Sequence, residues 1–231
     1  MQSTQLNSVA DVESGLKAYE VSKGIPVQTI EMKNNRIYHA RTKLGSDYFR
    51  YLEGKDICRY HANWSGEFLK YGSNLAARRN DFRLFSTKRI LVRQIPSKPP
   101  YCINACLIEE IALNDLNSIN VFNIKIEPQL VLAILNSKLI SYWFIHKFGK
   151  MQRGTFPQFK VNELATFPMP KKFGIYREIL ITKVHQIIIS KRADQVAHFS
   201  NLTSEIDQII YELYKLTVEE IALVENTTYF Q

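Results

Sequence analysis

The chain has 231 residues, 45% of them hydrophobic, which suits one large domain, or a medium domain with an appendage, built around a hydrophobic core. It carries a net charge of +8 and three cysteines, too few for a disulfide framework, so we expect reduced thiols in small buried sites. No apolar run is long enough to span a membrane, and the polar first residues lack a signal-peptide core, which predicts a cytoplasmic protein without a membrane partner.

The positive charge is concentrated in one stretch of the chain. Residues 31–100 contain 15 Lys and Arg against 6 Asp and Glu, a net charge of +9, and the rest of the chain is close to neutral. Such a focused positive field is typical of proteins that bind a polyanion, either DNA or RNA. A protein that is merely basic would show the same total, so charge alone leaves both possibilities open.

The first thirty residues give weak signals. Residues 8–23 are expected to form a short helix, although Gly15 weakens that prediction. Residues 24–30 are expected to be extended, because Pro26 disfavours helix at the residue before it.

The middle of the chain predicts strands and then a helix. Residues 89–95, 101–108 and 118–126 have the short apolar or alternating runs that are typical of strands. From Pro128 the apolar residues recur at every third and fourth position, which predicts one amphipathic helix ending near Gly149. Phe167 to Pro170 is expected to be a rigid linker.

The last part of the chain has a different composition. From Ile175 to Val224 it has no Gly and no Pro, and its apolar residues have helical spacing. We expect a helix over residues 175–199, a second from about residue 200, and a third that begins with a capping box at Thr217 and Glu220. The prediction is an α+β fold with a mixed, β-rich domain over residues 1–172 and a C-terminal helical hairpin or bundle, a scaffold region, over residues 173–231.

Three short motifs suggest chemistry, and each lacks an essential part. In Ser97-Lys98-Pro99-Pro100-Tyr101, Lys98 stands where amino-directed methyltransferases need an Asn or Asp acceptor. Glu31-Met32-Lys33 resembles the end of a nuclease signature but has no upstream carboxylate motif to hold Mg²⁺. Cys58 and His61 with Cys102 and Cys106 offer four zinc-binding side chains, but Cys102 lies in an apolar, strand-like segment and the spacing from Cys102 to Cys106 is loose. We therefore expect no catalytic residue and no metal site.

A nucleic-acid-binding surface is better supported. Residues 59–94 interleave cations, aromatic side chains and amides, and a second polar cluster follows the helix that ends near Gly149. Lys and Arg neutralise phosphates, and Arg, Asn and Gln also pair with base edges. The residues expected to contact the DNA backbone are Arg41, Lys43, Arg59, Lys70, Arg78 and Arg79; those expected near bases are Asn74, Arg83, Gln152, Arg153 and Gln158, with Lys150 beside them. A solvated protein face has a similar composition, and that alternative stays open.

A series of strings, in order, resembles a known family. The strings are GKDICRY (54–60), WSGEFLKYG (64–72), KRILVRQI (88–95), LAILNSKLI (132–140), FPQFK (156–160), FPMP (167–170) and ID through YELY (206–214). Over about residues 10–225 they resemble the TaqI-like C-terminal specificity domain. That domain is the target-recognition part of type II, including type IIG, restriction–modification enzymes and of adenine-specific DNA methyltransferases. Within the fourth string, residues 135–139 are expected to lie inside the amphipathic helix.

The resemblance implies a non-catalytic, sequence-specific binder of double-stranded DNA. In the family, an N-terminal methyltransferase domain, sometimes preceded by a nuclease, performs the chemistry, and the specificity domain reads bases so that the target adenine can flip out. S-adenosylmethionine and Mg²⁺ are then expected only in those catalytic domains, with no cofactor in this chain. The expected protein partner is such a domain, in a parent chain or a separate subunit.

Two alternatives to an excised recognition domain remain. One is a stand-alone subunit like the type I specificity subunits, or a protein-interaction module, that docks a separate methyltransferase. The other is a complete small enzyme with an unrecognised site. RNA binding is less favoured, because no RNA-module motif is present.

Overall fold

A four-stranded sheet forms the centre of the fold. The structure, a computed structural model, describes residues 3–149, 158, 160–194 and 199–227. In this sheet the order is β2-β11-β8-β9, with every neighbouring pair antiparallel. Its strands are β2 (Asp11–Ser14), β8 (Arg89–Arg93), β9 (Ala105–Ile108) and β11 (Ser118–Phe122). The predicted strands at residues 89–95, 101–108 and 118–126 are confirmed within shorter bounds, and they lie side by side.

A second four-stranded sheet carries most of the basic segment. Its order is β10-β4-β7-β3, with β10 parallel to β4 and the other pairs antiparallel. Leu69 pairs with Phe49, and both turn toward an apolar core, whereas Lys70 and its partner Tyr48 point to the opposite side. The strands are β3 (His39–Ala40), β4 (Tyr48–Leu52), β7 (Phe68–Lys70) and β10 (Leu113–Asn114). Two small pairs complete the strands: β1 (Ser3–Gln5) with β12 (Pro168–Pro170), and β5 (Ile57–Cys58) with β6 (His61–Ala62).

The N-terminal predictions need correction. The predicted helix over residues 8–23 is wrong, because this segment forms β2 and then a bridge from Leu16 to Asp115. A Cβ at Gly15 would lie 2.0 Å from the Asp115 carbonyl oxygen, so the close approach of the two backbones requires glycine here. Residues 24–30 are not an extended strand either; they form turns that lead into α1 (Ile30–Asn34).

The predicted rigid linker at Phe167 to Pro170 is also wrong. Pro168, Met169 and Pro170 form β12, which pairs with β1. A two-stranded edge pair tolerates proline, because the missing N–H can face away from the partner strand.

The helices follow the predicted periodicity, with one break. The single helix predicted from Pro128 is two helices, because Asn136 and Ser137 end one and begin the next. Gly149 ends the second in a left-handed conformation, as expected. The helices are α2 (Arg83–Ser86), α3 (Pro128–Leu135), α4 (Lys138–Phe148), α5 (Val161–Leu164), α6 (Tyr176–Ala193), α7 (Ser200–Tyr214) and α8 (Val218–Glu225), the last with the predicted capping box. The α+β class is confirmed.

Three apolar clusters of described residues hold these elements together. The largest, here the helix–sheet core, joins the central sheet to α3, α4, α6 and α7. The second, here the aromatic core, packs Tyr38, Tyr51, Leu69, Leu75 and Phe85 beneath the second sheet. The third and smallest includes Leu52, Leu91 and Cys106. The division at residue 172 stays a prediction, and side chains from both sides of it, such as Ile134 and Ile187, contribute to the helix–sheet core.

Candidate nucleic-acid interface

Tyr71 joins three of the predicted DNA-binding segments. It directly follows Lys70 at the end of β7, and its N–H donates to the Asp47 carbonyl at 2.8 Å, which fixes the end of the loop 41–47. Its hydroxyl donates to the Arg79 carbonyl at 3.1 Å, which fixes the segment 78–83. Its ring packs edge-on against Phe82, with centroids 5.0 Å apart. We call Lys70, the loop 41–47 and the segment 78–83 together the Tyr71 surface.

The cations of the segment 78–83 differ in how they are held. Arg78 is exposed and makes no hydrogen bond or ion pair with any residue that the structure describes. Arg83 is 83% exposed and holds Asp81 through two donors, with Nη2 at 2.7 Å from Oδ2. Arg79 is half-buried, donating to the Gly15 carbonyl at 2.8 Å and to the Ser14 hydroxyl. Arg78 and Arg83 are therefore available to a ligand, whereas Arg79 mainly ties this segment to β2.

The loop 41–47 and β7 add further exposed cations. Lys43 is exposed and, like Arg78, has no hydrogen bond or ion pair within the described part of the chain. Arg41 is 74% exposed, and its guanidinium donates to the Ser65 carbonyl at 3.1 Å and lies 3.7 Å from the Glu67 carboxylate. The Lys70 ammonium lies 3.7 Å from Asp47. Exposed pairs of this kind contribute only about 0–1 kcal/mol, so a phosphate can replace the carboxylate at little cost.

Asn74 and Arg59, two of the residues predicted to contact DNA, are not part of the Tyr71 surface. Asn74 is 7% exposed, and its amide donates to the Lys70 carbonyl at 3.1 Å. The Arg59 guanidinium stacks over Tyr101 at 3.5 Å and donates to the Asn136 carbonyl at 3.1 Å. The structure therefore places both side chains where they support the fold. Their roles in DNA contact stay predictions.

The second polar cluster falls mostly outside the described residues. Lys150, Gln152 and Arg153 lie there, and their placement on the interface stays a prediction. Gln158 is described and exposed.

A cleft of about 630 Å³ opens beside Arg78. Arg78, Arg79 and Asn80 line one side, and Gly24 and Ile25 line another. Its acidic members, Glu13 and Asp81, are each paired with an arginine, Arg79 and Arg83. The sequence did not lead us to predict Asn80 or the loop that carries Ile25 as part of the site. Ile25 and Val27 flank Pro26 and belong to no periodic apolar pattern, and this could have indicated exposed apolar side chains.

The chemical groups at the described part of the interface indicate what it can bind. Within the described ranges, no group of three or more His, Cys, Asp or Glu is placed to hold a metal ion, and the three cysteines are free thiols. Burial raises the pKa of Tyr71, and the Arg78 cation partly opposes that shift, so the phenol stays a neutral hydrogen-bond donor at neutral pH. Exposed cations, amides and rings bind anions and bases without forming covalent bonds. In the same described residues, no helix combines the length and apolar character needed to cross a lipid bilayer.

Solved structures of similar fold come from restriction enzymes. The type IIL restriction–modification enzyme MmeI, solved in complex with DNA, matches with a TM-score of 0.57 and 9% identity, covering 96% of this chain and 35% of that one. The type IIG restriction endonuclease BpuSI matches with a TM-score of 0.52 and 11% identity, covering 91% and 31%. This chain therefore spans about a third of the length of either enzyme, and at such low identity the likeness shows the fold alone. The sequence matches no curated protein.

The family is shown by the sequence itself. The profile of the TaqI-like C-terminal specificity domain matches residues 49–169, slightly more than half of the chain. The matched range includes β4, β7, the segment 78–83 and the central strands β8, β9 and β11. It also includes Lys70 and Tyr71, whereas the loop 41–47 precedes the matched range. The chain belongs to the family of TaqI-like C-terminal specificity domains.

Proposed function

We propose that this chain binds duplex DNA and reads its sequence, as the specificity domain of a restriction–modification protein whose catalytic sites lie in other domains. Methyl transfer and cleavage, with S-adenosylmethionine and Mg²⁺, then belong to a methyltransferase or nuclease domain in the same parent chain or in a separate subunit. The parent protein is a site-specific adenine methyltransferase or type II restriction enzyme. MmeI, which shares the fold, was solved with DNA bound.

The proposal depends mainly on one observation: four cations on the Tyr71 surface are exposed and are either without an ion-pair partner among the described residues or paired only with exposed carboxylates. Arg78 and Lys43 are exposed and unpaired among the described residues, while Lys70 and Arg83 hold only exposed carboxylates. All of them stand on backbone that Tyr71 and the aromatic core keep in place. Each contact between one of these cations and a phosphate releases a counterion from the DNA, and this release favours binding.

Binding to a random pool of duplexes tests the proposal. The intact chain is incubated with the pool at about 50 mM and about 200 mM salt, and the retained DNA is sequenced. We expect a steep loss of affinity with salt and enrichment of one short motif, which would also name the recognised sequence. Retention of nothing at either salt concentration would contradict DNA binding and support a protein-interaction module that docks a separate methyltransferase.

A charge variant links the binding to the Tyr71 surface. Arg78→Gln removes one unpaired cation, so the slope of log K against log salt should become shallower by about 1, with weaker binding to all sequences alike. Lys172→Gln is the matched control, because Lys172 is exposed but lies near the start of α6, outside the Tyr71 surface. Equal slopes for the two variants would place the phosphate contacts on another face.

A further inference from the structure

A loop beside the cleft presents large apolar side chains to solvent. In residues 20–28, Ile25 is 73% exposed, Val27 is 65% exposed and Val21 is 45% exposed. Isolated exposed apolar residues are common on protein surfaces, but three within one short loop are typical of an interaction site.

The loop is held rigidly from beneath. Gln28 is only 1% exposed, and its amide accepts from the Glu20 N–H at 2.8 Å and donates to the carbonyls of Ala18 and Asn74 at 2.9 and 2.7 Å. The N–H of Ile25 donates to the Ser73 carbonyl at 2.8 Å. Gly24 has a φ of +80°, and a Cβ there would lie 2.5 Å from the Asn74 carbonyl oxygen. The exposed side chains are thus presented by a fixed backbone, and they pay little conformational entropy on binding.

The charge around the loop indicates what covers it. Ile25 and Gly24 line the same cleft as Arg78 and Arg79, and the exposed Lys23 precedes them. Glu13 pairs with Arg79, but an apolar protein partner would leave Arg78 without a counter-charge in the interface, which is costly. Duplex DNA offers both kinds of group, phosphates for the cations and, in the major groove, the apolar C5-methyl group of thymine.

We propose that Ile25 and Val27 form the apolar base contact of this domain, packing against thymine C5-methyl groups in the major groove. The inference rests on the proposed DNA-binding function and assigns one part of the sequence reading to this loop. Arg78 on the far side of the cleft then contacts the phosphate backbone that borders the groove. Burying one methyl group is worth about a fourfold change in affinity, so the loop contributes discrimination rather than most of the binding.

Duplex pools with and without the methyl group test this contact. Two random pools, one made with thymine and one with uracil, are labelled differently and compete for the intact chain at about 100 mM salt. We expect the wild-type chain to retain the thymine pool about fourfold better. Val27→Asn and Ile25→Asn should each reduce that preference while leaving the salt slope unchanged, because no phosphate contact is lost.

Val218→Asn is the matched control, since Val218 is 78% exposed on α8, and it should keep the wild-type preference. Unfolding midpoints of the loop variants should equal that of the wild type, because the substituted side chains are exposed. Equal retention of both pools by the wild-type chain would overturn the proposal. So would a loss of affinity for both pools alike in Val27→Asn, the result expected of a wedge between base steps. In either case the Arg78→Gln salt slope still reports separately on DNA binding, and retention of neither pool would overturn the proposed function as well.

Discussion

Arg89 is the largest side chain that the described part of the fold buries completely. Its Nε donates to Asn120 Oδ1 at 2.9 Å on β11, one Nη donates to the Phe85 carbonyl at 3.1 Å, and the other donates to the Ala112 carbonyl. Burial lowers the pKa of Arg89 to about 10, so the guanidinium is still charged at neutral pH. Neutral oxygen dipoles compensate this charge, and they come from β11, from α2 and from the residue that precedes β10.

Replacing Arg89 should therefore be strongly destabilising. Arg89→Met keeps most of the volume but leaves the Asn120 amide oxygen and the Ala112 carbonyl without their donor, at about 1–3 kcal/mol for each group, whereas the Phe85 carbonyl keeps the Ala112 N–H at 3.2 Å. We expect the free energy of unfolding to fall by about 3–5 kcal/mol, measured by urea denaturation. Arg93→Met, on the same strand but half-buried, should cost less than about 1 kcal/mol. Equal midpoints for the two variants would show that the buried network contributes little.

The two arginines also show where sequence reasoning ends at this scale. Arg89 and Arg93 bracket the same apolar run, and the pattern predicts only that both flank a strand. Which one is buried depends on Asn120, Phe85 and Ala112, and these are brought together by the order of strands in the sheet. Long-range partners of this kind leave no periodic signal.

At the scale of elements, the break between α3 and α4 supplies hydrogen-bond partners for β9, the edge strand of the central sheet. The Asn136 amide accepts from the Ala105 N–H at 3.0 Å and donates to the Ala105 carbonyl at 3.0 Å, as a neighbouring strand would. Ser137 caps α4 by accepting from the Ile140 N–H at 3.2 Å. The prediction that residues 135–139 lie inside one helix is wrong, although Asn and Ser are the residues that favour caps over helix interiors. Apolar periodicity continued across the break because both helices face the same core.

Asp207 connects α7 to the same junction. Its carboxylate accepts from the Lys138 N–H at 3.0 Å and from the Tyr101 hydroxyl at 2.8 Å, and only 1% of the residue is exposed. Burial raises the pKa of Asp207 to about 6, and the two hydrogen bonds, Arg59 and Lys138 only partly offset this. The folded state therefore binds a proton more readily than the unfolded chain. The contribution of Asp207 to stability is largest below about pH 4 and falls as the pH rises to about 6.

Asp207→Asn should remove this pH dependence. The unfolding free energy of the variant minus that of the wild type should rise by about 2–3 kcal/mol between pH 4 and pH 7, because the amide cannot ionise. Subtracting the wild-type value isolates Asp207 from other titrating groups. Burial lowers the pKa of His39 to about 4, so His39 makes the folded state more stable as the pH rises, but it does so equally in both proteins. Urea titrations at several pH values measure it, with Glu178→Gln on the exposed surface of α6 as the control. A flat difference for Asp207→Asn would mean that the buried carboxyl does not titrate in this range.

At the scale of the whole molecule, local patterns predicted the longer helices and three of the four central strands, whereas β2 was expected to be helical. The family resemblance predicted the family to which the chain belongs. The periodic segments became α3, α4, α6, α7 and α8, because each has one apolar side to bury. The site was predicted only in outline. The sequence around Arg78 and Asn74 does not show that Arg78 is exposed and Asn74 is buried. That difference depends on tertiary contacts: the Gln28 amide binds the Asn74 carbonyl, and the Tyr71 hydroxyl binds the backbone next to Arg78. The short second sheet, with strands of two to five residues, is likewise set by tertiary contacts.

The two cores predict that stability and recognition can be changed separately. Ile187 on α6 is fully buried in the helix–sheet core, whereas Arg78 stands on the aromatic core, exposed and without an ion pair among the described residues. Ile187→Ala should lower the free energy of unfolding by about 2–5 kcal/mol, because it leaves a cavity among packed helices. At equal concentration of folded protein its DNA affinity and salt slope should match the wild type.

Arg78→Gln should do the reverse, changing stability by less than about 0.5 kcal/mol while making the salt slope shallower. Ile189→Ala, on the same helix but 51% exposed, controls for the loss of an apolar side chain at the surface. Urea denaturation and DNA titrations at two salt concentrations on the same preparations give both quantities for each variant. A shallower salt slope in Ile187→Ala would instead place the C-terminal helices in contact with DNA, and they would then be part of the reading surface rather than its support.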